Sequence, residues 1–456
     1  MGGRRSVSYL PHTDADRRAM LEAIGVAGLE ALFADVPARV RFPSLDLPAA
    51  ISELELARLA RELAGANTDI EGCARFLGAG AYHHFRPATV DYVLRRGEFY
   101  TSYTPYQPEV SQGMLQAMFE YQSLICRLTA MEVSNASHYD GATALAEGVL
   151  LALDSTKGDR TKVVISPTVH PQYREVVRTY LHGSEATVTG DERLENGIAE
   201  LKAMLDARTA ALVIQDPDFF GQFVDVEGLA EAVHAAGALL IVIADPIALG
   251  LFRPPGEYGA DVAVAEGQPL GLPLSYGGPR LGIFASRKAY LRRMAGRIVG
   301  ETVDADGRRG YVLTLGTREQ HIRREKATSN ICTNAALMAL GAAVYLATMG
   351  KSGMTKVARL CYQKSHYAAA KIHEVAGLSI NPHAPLRSYF REFVVRLGRP
   401  VAEVNRVLLE EHRILGGYDL ARDYPSLQGH MLVAVTEMNT REEIDRLARA
   451  LKAVCR

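Results

Sequence analysis

Three short apolar runs, close together in the chain, place the strongest constraint on the fold. They cover residues 238–244, 260–265 and 281–285, and turn-forming or polar residues flank each run. Apolar runs of this length predict strands that are buried on both faces, as in a parallel or mixed sheet. The first run ends at Asp245, and Gln268 follows the second. Because ligands of such sheets bind beyond the carboxyl ends of the strands, we expect Asp245 and Gln268 to face a site.

Strand and helix patterns alternate before these runs. The predicted strands are 162–165, 186–188 and 210–214, and the predicted helices are 173–181, 194–205 and 226–236. Strands that alternate with helices of about 10–15 residues indicate βαβ units and a parallel-rich sheet. The sequence therefore predicts an α/β fold with a mostly parallel sheet.

The regions on either side of this sheet have different patterns. Residues 1–80 predict an N-terminal helical arm, 81–345 the large domain, and 346–456 a smaller C-terminal α/β domain. In the arm, Ser52 and Glu55 form a capping-box pattern, and a further helix is predicted over 67–80. Two consecutive helices, 335–349 and 350–376, are predicted where the large domain meets the small one.

Composition excludes several classes of function. The chain has 456 residues and a net charge of −1, so it has no strong field to attract nucleic acid or an anionic membrane. Its five cysteines are dispersed without a CxxC pair, which is typical of free thiols in a reducing compartment. No apolar stretch approaches the ~18 residues of a membrane span, and the first residues contain no signal-peptide apolar region. We expect a cytoplasmic protein.

Two features of the large domain are candidates for binding an anion. Residues 141–143 begin a predicted helix with small side chains, and the free N–H groups of such a helix start can hold a phosphate. Gly141 and Thr143 are therefore candidates, although a helix start without a ligand is the commoner case. His170 follows the strand at 162–165 and is a further candidate.

The segment 78–109 is rich in aromatic and polar residues and is punctuated by proline. Its candidate site residues are Tyr82, His83, Tyr100, Tyr103, Thr104 and Gln107. An aromatic ring with a polar tip suits a half-wet pocket or an interface. Adjacent histidines such as His83 and His84 point apart, so no metal site is expected there.

A second polar segment covers 314–334. It contains Arg324, Lys326, Thr328 and Asn330. Composition alone is compatible with a solvated loop and with a folded segment that lines a cleft, and both interpretations stay open.

The order of these features resembles the large domain of fold type I pyridoxal-phosphate enzymes. In that group an Asp pairs with the pyridine nitrogen, a His or aromatic residue stacks on the ring, and a lysine after the next strand forms the Schiff base. The resemblance places Asp245, His170 and the helix start at Gly141 in these roles. The lysine position carries Gln268, whose amide cannot form an imine.

Several longer motifs resemble the glycine cleavage system P-protein. They are YTSYTPYQPEVSQG, SNASHYDGATALAEG, HPQYREVV, DPDFFGQF, GLPLSYGGPRLGIF and REQHIRREKATSNICTN, and they lie in family order between about residues 78 and 334. They match the N-terminal half of the long form, which is a separate α subunit where the P-protein is split. Counting back from the Gly277-Gly278-Pro279 turn, the family's lysine position falls on Gln268.

The resemblance implies a pseudo-enzyme subunit of glycine dehydrogenase (decarboxylating). It implies an α2β2 heterotetramer in which the β subunit holds pyridoxal phosphate and this chain holds none. The complex would decarboxylate glycine, release CO2 and transfer the aminomethyl group to lipoylated H-protein. The tyrosine-rich loop would then lie near the αβ contact, while Gly141, Thr143, His170, Asp245 and Gln268 would be remnants of a cofactor pocket.

Two alternatives stay open from the sequence. One is a stand-alone pyridoxal-phosphate lyase or transferase that uses another lysine, for which Lys326 is the candidate. The other is a scaffold without a catalytic partner.

Overall fold

A computed structural model describes residues 11–67, 70, 72–156, 159–332, 334–382 and 388–455. The chain forms two compact units, Met1–Asp69 and Ile70–Arg456. The predicted domain boundaries at residues 80 and 345 stay predictions.

The first unit contains two α-helices, α1 (Asp14–Ile24) and α2 (Glu53–Gly65), with 3-10 turns at Leu29–Phe33 and Ala38–Val40. Both helices begin with a capping box, and the one on α2 joins Ser52 to Glu55 as predicted. Neither helix buries a side chain. The caps thus fix where the two helices begin. Their apolar side chains pack into no hydrophobic core among the described residues.

The second unit contains the remaining helices and all the strands of the described chain. The helices are α3 (Ala88–Leu94), α4 (Gly97–Tyr100), α5 (Gln112–Thr129), α6 (Gly141–Ser155), α7 (Pro171–Leu181), α8 (Ile198–Ala203), α9 (Leu229–Ala235), α10 (Gln320–Arg323), α11 (Ala336–Ala376), α12 (Val401–His412) and α13 (Arg441–Val454). The strands are β1 (Ala74–Arg75), β2 (Val133–Ser134), β3 (Lys162–Ile165), β4 (Thr187–Thr189), β5 (Thr209–Asp216), β6 (Leu239–Ala244), β7 (Val262–Glu266), β8 (Gly282–Ser286), β9 (Ile298–Val303), β10 (Arg309–Thr314), β11 (Ser379–Ile380), β12 (Glu392–Arg396), β13 (Ile414–Leu415), β14 (Tyr418–Asp419) and β15 (His430–Ala434).

A seven-stranded mixed sheet forms the centre of this unit. Its order is β2-β8-β7-β6-β5-β3-β4, and the five strands from β7 to β4 are parallel. β8 joins β7 in the antiparallel direction. The predicted α/β fold with a mostly parallel sheet is confirmed. Because five parallel strands end at one edge, the residues that follow β5, β6 and β7 meet there.

Helices cover both faces of the sheet. In β6, Leu240 and Val242 pack with α5, α9 and α11, whereas Leu239, Ile241 and Ile243 pack with α6 and α7. This alternation explains why β6 is a continuous apolar run, because each residue from 239 to 243 enters one of two cores.

The C-terminal region packs a four-stranded antiparallel sheet, ordered β11-β12-β15-β14, against α12, α13 and the end of α11. α11 carries an interruption at Gly350, where φ is +58°, so the two predicted helices 335–349 and 350–376 are confirmed as two parts of one assigned helix. No helix in the described ranges has the length and apolarity needed to cross a bilayer.

The helix predicted over 67–80 is wrong for the part that is described. Residues 74–75 instead form β1, which pairs in parallel with β13. Gly72 has φ of +77°, which interrupts any helix there. The partner strand lies more than 300 residues away, so the local pattern could not reveal the pairing.

Candidate functional site

The carboxyl ends of β5, β6 and β7 surround a cavity, as the sheet order requires. Its lining includes Gly80, Tyr82, His170, Tyr173, Gln215, Phe219, Asp245, Glu266, Arg391 and Glu392. The cavity volume is 50 Å³, whereas pockets for small molecules usually span roughly 300–1,000 Å³. The contacts among the side chains that surround this small cavity determine what the site can bind.

Asp245 follows β6 and pairs with a buried arginine. One oxygen accepts hydrogen bonds from the N–H groups of Ile247 (2.9 Å) and Ala248 (3.1 Å), and the other accepts one from Nη2 of Arg391. Both side chains are buried, with 4% of Arg391 and 12% of Asp245 exposed. Burial opposes the charge of Arg391, but the carboxylate of Asp245 raises the pKa of the guanidinium above its ordinary value. The carboxylate that would meet a pyridinium nitrogen is thus already neutralised within the chain.

Tyr82 lies against the same guanidinium. The Cζ atom of Arg391 is 3.3 Å from the centroid of the Tyr82 ring, a cation–π contact. The Tyr82 hydroxyl donates to Glu392 Oε2 at 2.7 Å, and the other oxygen of Glu392 accepts from the N–H of Ala79, also at 2.7 Å. Tyr82 was predicted to belong to the interface loop, whereas the structure places it inside the cavity.

Gln268 holds this tyrosine through its backbone. Gln268 Oε1 accepts from the Tyr82 N–H at 3.1 Å, while Nε2 donates to the carbonyl oxygens of Tyr82 (3.1 Å) and Leu272 (2.8 Å). Only 2% of Gln268 is exposed. An amide can donate and accept in this way, whereas a lysine ammonium can only donate. The residue at the lysine position is therefore matched to a structural role.

Glu266 occupies the N-terminus of α6, where an anion would bind. Its carboxylate accepts hydrogen bonds from the N–H groups of Gly141 (3.1 Å), Gln268 (2.9 Å) and Leu281 (3.3 Å). Burial raises the pKa of Glu266 to about 7, although these three bonds favour its charged form. Thr143 is engaged with the helix cap, since its N–H donates to Asp140 Oδ1 at 2.7 Å. The N–H groups of Gly141 and Thr143, both proposed for an anion, thus have carboxylate partners within the chain.

His170 caps α7 and is held in one neutral form. Its Nδ1 accepts from the Gln172 N–H at 3.2 Å, so Nε2 carries the proton that bonds the Ala79 carbonyl at 3.0 Å. Burial lowers the pKa of His170. The ring stacks on Tyr173 with centroids 4.9 Å apart. The position predicted for stacking on a cofactor is thus used for stacking within the chain.

The residues expected to contact pyridoxal phosphate bond one another or nearby groups of the chain. Glu266 accepts the N–H of Gly141, Arg391 pairs with Asp245, and Gln268 stands at the expected lysine position. Lys326, the alternative lysine, lies on an exposed 3-10 turn and does not line the cavity.

The other predicted residues of the tyrosine-rich loop lie elsewhere. Tyr100, Tyr103 and Gln107 are exposed, and Thr104 is half-buried. His83 is half-buried, and burial lowers its pKa. A role for these residues at a subunit contact stays a prediction.

The polar segment 314–334 is divided between solvent and a cleft. Arg324, Lys326 and Asn330 are exposed. Thr328 donates to Asp154 Oδ2 at 3.3 Å and lines a small cavity, so part of the segment does line a cleft. The segment is thus solvated at Arg324, Lys326 and Asn330 and lines a cleft at Thr328, so each of the two interpretations holds for part of it.

A possible metal-ligand group lies beside Arg391. One ligand atom each of His84, Cys361 and Glu437 lies within 4.8 Å of the other two. Arg391 Nη1 donates to His84 Nε2 at 3.0 Å, which leaves Nδ1 to donate to Glu437 at 2.7 Å. The three side chains thus form a closed hydrogen-bonded group, which a metal would have to disrupt.

Sequence reasoning missed Arg391, Glu392 and Glu266 as cavity residues. Glu266 stands next to the predicted strand end and could have been included on that ground. Arg391 and Glu392 come from the small domain, and the only signal was a charged pair at the edge of an apolar strand pattern.

Known proteins are similar to this chain over nearly its whole length. Residues 7–451 match the family described as glycine cleavage system P-protein. The chain is 54% identical, over 97% of its length and 99% of the relative's, to a probable glycine dehydrogenase (decarboxylating) subunit 1 of Thermomicrobium roseum. It is 52% identical to the protein of that description from Geobacillus kaustophilus, over 97% of this chain and 98% of the relative.

Solved structures give the same result. A crystal structure of glycine decarboxylase (P-protein) of the glycine cleavage system, in inhibitor-bound form, matches with a TM-score of 0.87 and 44% identity, covering 98% of this chain and 99% of that one. A cysteine desulfurase from Thermococcus onnurineus matches with a TM-score of 0.60 and 14% identity, covering 89% of this chain and 99% of that one, which shows a shared fold alone.

Proposed function

This chain belongs to the glycine cleavage system P-protein family, and on that premise we propose that it is subunit 1 of a glycine dehydrogenase (decarboxylating). It pairs with a lysine-bearing subunit 2, as α2β2, and the complex decarboxylates glycine, releases CO2 and passes the aminomethyl group to lipoylated H-protein. Pyridoxal phosphate belongs to subunit 2, and this chain binds none. The complex works in the cytoplasm.

The filled cavity is the observation that carries the division of roles between the subunits. Arg391 neutralises Asp245, Glu266 accepts the N–H of Gly141 at the start of α6, and Gln268 fixes Tyr82. Each of the three cofactor contacts is replaced by a contact within the chain. Such a chain contributes to the reaction through the surface that it offers to its partner.

An aromatic surface supports the proposed pairing. We give this name to Tyr100, Tyr103, Tyr106 and Tyr276, each at least 61% exposed. Between the loop 102–104, Pro279 and the first turn of α11 lies a cavity of 230 Å³. Tyr103 lines this cavity, and tyrosines are over-represented among the residues that dominate binding at protein interfaces. The aromatic surface is therefore the proposed contact with subunit 2.

A mixing assay tests this function. This chain and the lysine-bearing subunit are purified separately, and glycine-dependent CO2 release is measured with lipoylated H-protein for each alone and for the mixture. We expect release in the mixture only, and the absorbance of bound pyridoxal phosphate in subunit 2 only. Release by this chain alone, or no effect of adding it, would contradict the proposal.

Variants of the aromatic surface test its location. Tyr103→Ala together with Tyr276→Ala should weaken the subunit complex by about tenfold or more, as expected for interface tyrosines. The control is Tyr180→Ala on α7, which is also exposed but lies outside the aromatic surface. Equal affinity for the double variant and the control would place the interface elsewhere.

A further inference from the structure

Arg297 is a buried cation with only neutral partners. It is 4% exposed and lies just before β9. Its Nη1 donates to Asn334 Oδ1 at 3.2 Å, and Nη2 donates to the Tyr106 hydroxyl (3.1 Å) and the Cys332 carbonyl (2.9 Å). Its Nε is buried and has no partner among the described residues. Because a buried guanidinium normally pairs with an anion, this environment is electrostatically incomplete.

A second arginine lies at the same place. Arg318 donates to the carbonyl oxygens of Leu315, Gly296 and Met294, and it has no carboxylate partner in the described ranges. Burial lowers the pKa of Arg318, and only the nearby Glu319 opposes this shift. Both guanidinium groups thus donate these hydrogen bonds to neutral oxygens, and a charged acceptor would bind them more strongly.

Arg297 and Arg318 line one cavity, together with Thr328, Ser329 and Cys332. The lining also contains Arg293, which bonds Asp154 at 2.8 Å, and Glu319, whose carboxylate lies 3.6 Å from His321 Nδ1. The enclosed volume is 20 Å³, and a group about the size of one water needs roughly 10–15 Å³. The cavity therefore has room for one oxygen of a larger group that extends past the exposed Cys332.

We infer that Arg297 and Arg318 form an oxyanion-binding site, for a ligand that presents a phosphate or carboxylate oxygen. The guanidinium charges of Arg297 and Arg318, which line the cavity, supply the attraction for an oxyanion. This site is separate from the filled cavity at the carboxyl ends of the strands, and the inference does not rest on the proposed pairing with subunit 2.

Protection of Cys332 gives a readout specific to this site. The full chain is treated with iodoacetamide, and the alkylation rate of each cysteine is followed by peptide mass spectrometry in phosphate, acetate or chloride at equal ionic strength. Phosphate at about four times its Kd should slow Cys332 alkylation about fivefold, since the free fraction falls as 1/(1 + [L]/Kd). The rates of Cys126 and Cys455 should not change.

The two oxyanions distinguish the ligand class. Saturable protection by phosphate alone indicates a phosphate ligand, and protection by both ions indicates that carboxylates are also accepted. Protection that is equal in chloride, or that does not saturate, would overturn the inference.

Variants connect the protection to the two arginines. Arg297→Met should abolish it, and Arg292→Met, an exposed neighbour, should retain it. If Arg297→Met fails to fold, Arg318→Met provides the same test. Full protection in a folded Arg297→Met or Arg318→Met protein would show that the anion binds elsewhere.

Discussion

The buried ion pair between Arg391 and Asp245 should stabilise the folded chain. We consider the replacement Arg391→Met, which keeps most of the side-chain volume and removes the charge. Asp245 is 12% exposed, so the change leaves an almost buried carboxylate without its cation. Breaking a buried pair by removing one partner costs about 3–5 kcal/mol. We expect the free energy of unfolding to fall by this amount.

A double-mutant cycle separates the pair from the other contacts of Arg391. Arg391 also contacts Tyr82 and His84. The Arg391→Met variant and the double variant both lose these contacts, so their energy drops out of the coupling energy between Arg391 and Asp245. Asp245→Asn retains an acceptor for the N–H groups of Ile247 and Ala248. The double variant should therefore be destabilised by less than the sum of the single variants, by about 2 kcal/mol or more.

Guanidinium chloride unfolding of the four proteins measures this coupling. The matched control is Arg396→Met, at the exposed end of the same strand, which should change stability by less than about 0.5 kcal/mol. A loss below about 1 kcal/mol for Arg391→Met, or additive single effects, would refute the reasoning that the pair replaces a cofactor contact.

Three further predictions concern Gln268, Glu266 and two exposed leucines of α2. Gln268→Lys should not produce an imine absorbance band with pyridoxal phosphate in the isolated chain, because Glu266 and Arg391 still fill the cavity; stoichiometric, borohydride-reducible binding would contradict this. Glu266 has a pKa of about 7 in the folded chain against 4.5 as its ordinary value, so the folded state binds the extra proton and stability falls as pH rises from about 4.5 to 7. The stability of wild type relative to Glu266→Gln should therefore fall by about 3 kcal/mol between pH 5 and pH 8, measured by chemical unfolding, and a constant difference would be inconsistent with this shift. Leu59→Ser with Leu63→Ser, on exposed positions of α2, should leave the Tm of the isolated chain within about 2 °C, because α2 buries no side chain; a large loss of Tm would show that these leucines pack within the chain.

Features with a local cause could be predicted from the sequence. The apolar runs of β6, β7 and β8 predicted buried strands because each residue enters a core on one face of the sheet or the other. The capping box at Ser52 was visible for the same reason, since it depends on residues three positions apart. The identity of Gln268 alone excluded an imine at that position, whatever the fold.

The contents of the cavity were decided by tertiary structure. Arg391 reaches Asp245 across 146 residues, and Glu266 reaches the N–H of Gly141 across 125 residues. β1 forms only because β13 lies beside it, which is why the helix predicted over 67–80 is wrong. Hydrogen bonds and ion pairs between distant segments leave no periodic pattern in the chain. The sequence by itself therefore determined the sheet and the missing lysine, and only the fold decided which buried side chains bond Asp245, Gly141 and Tyr82.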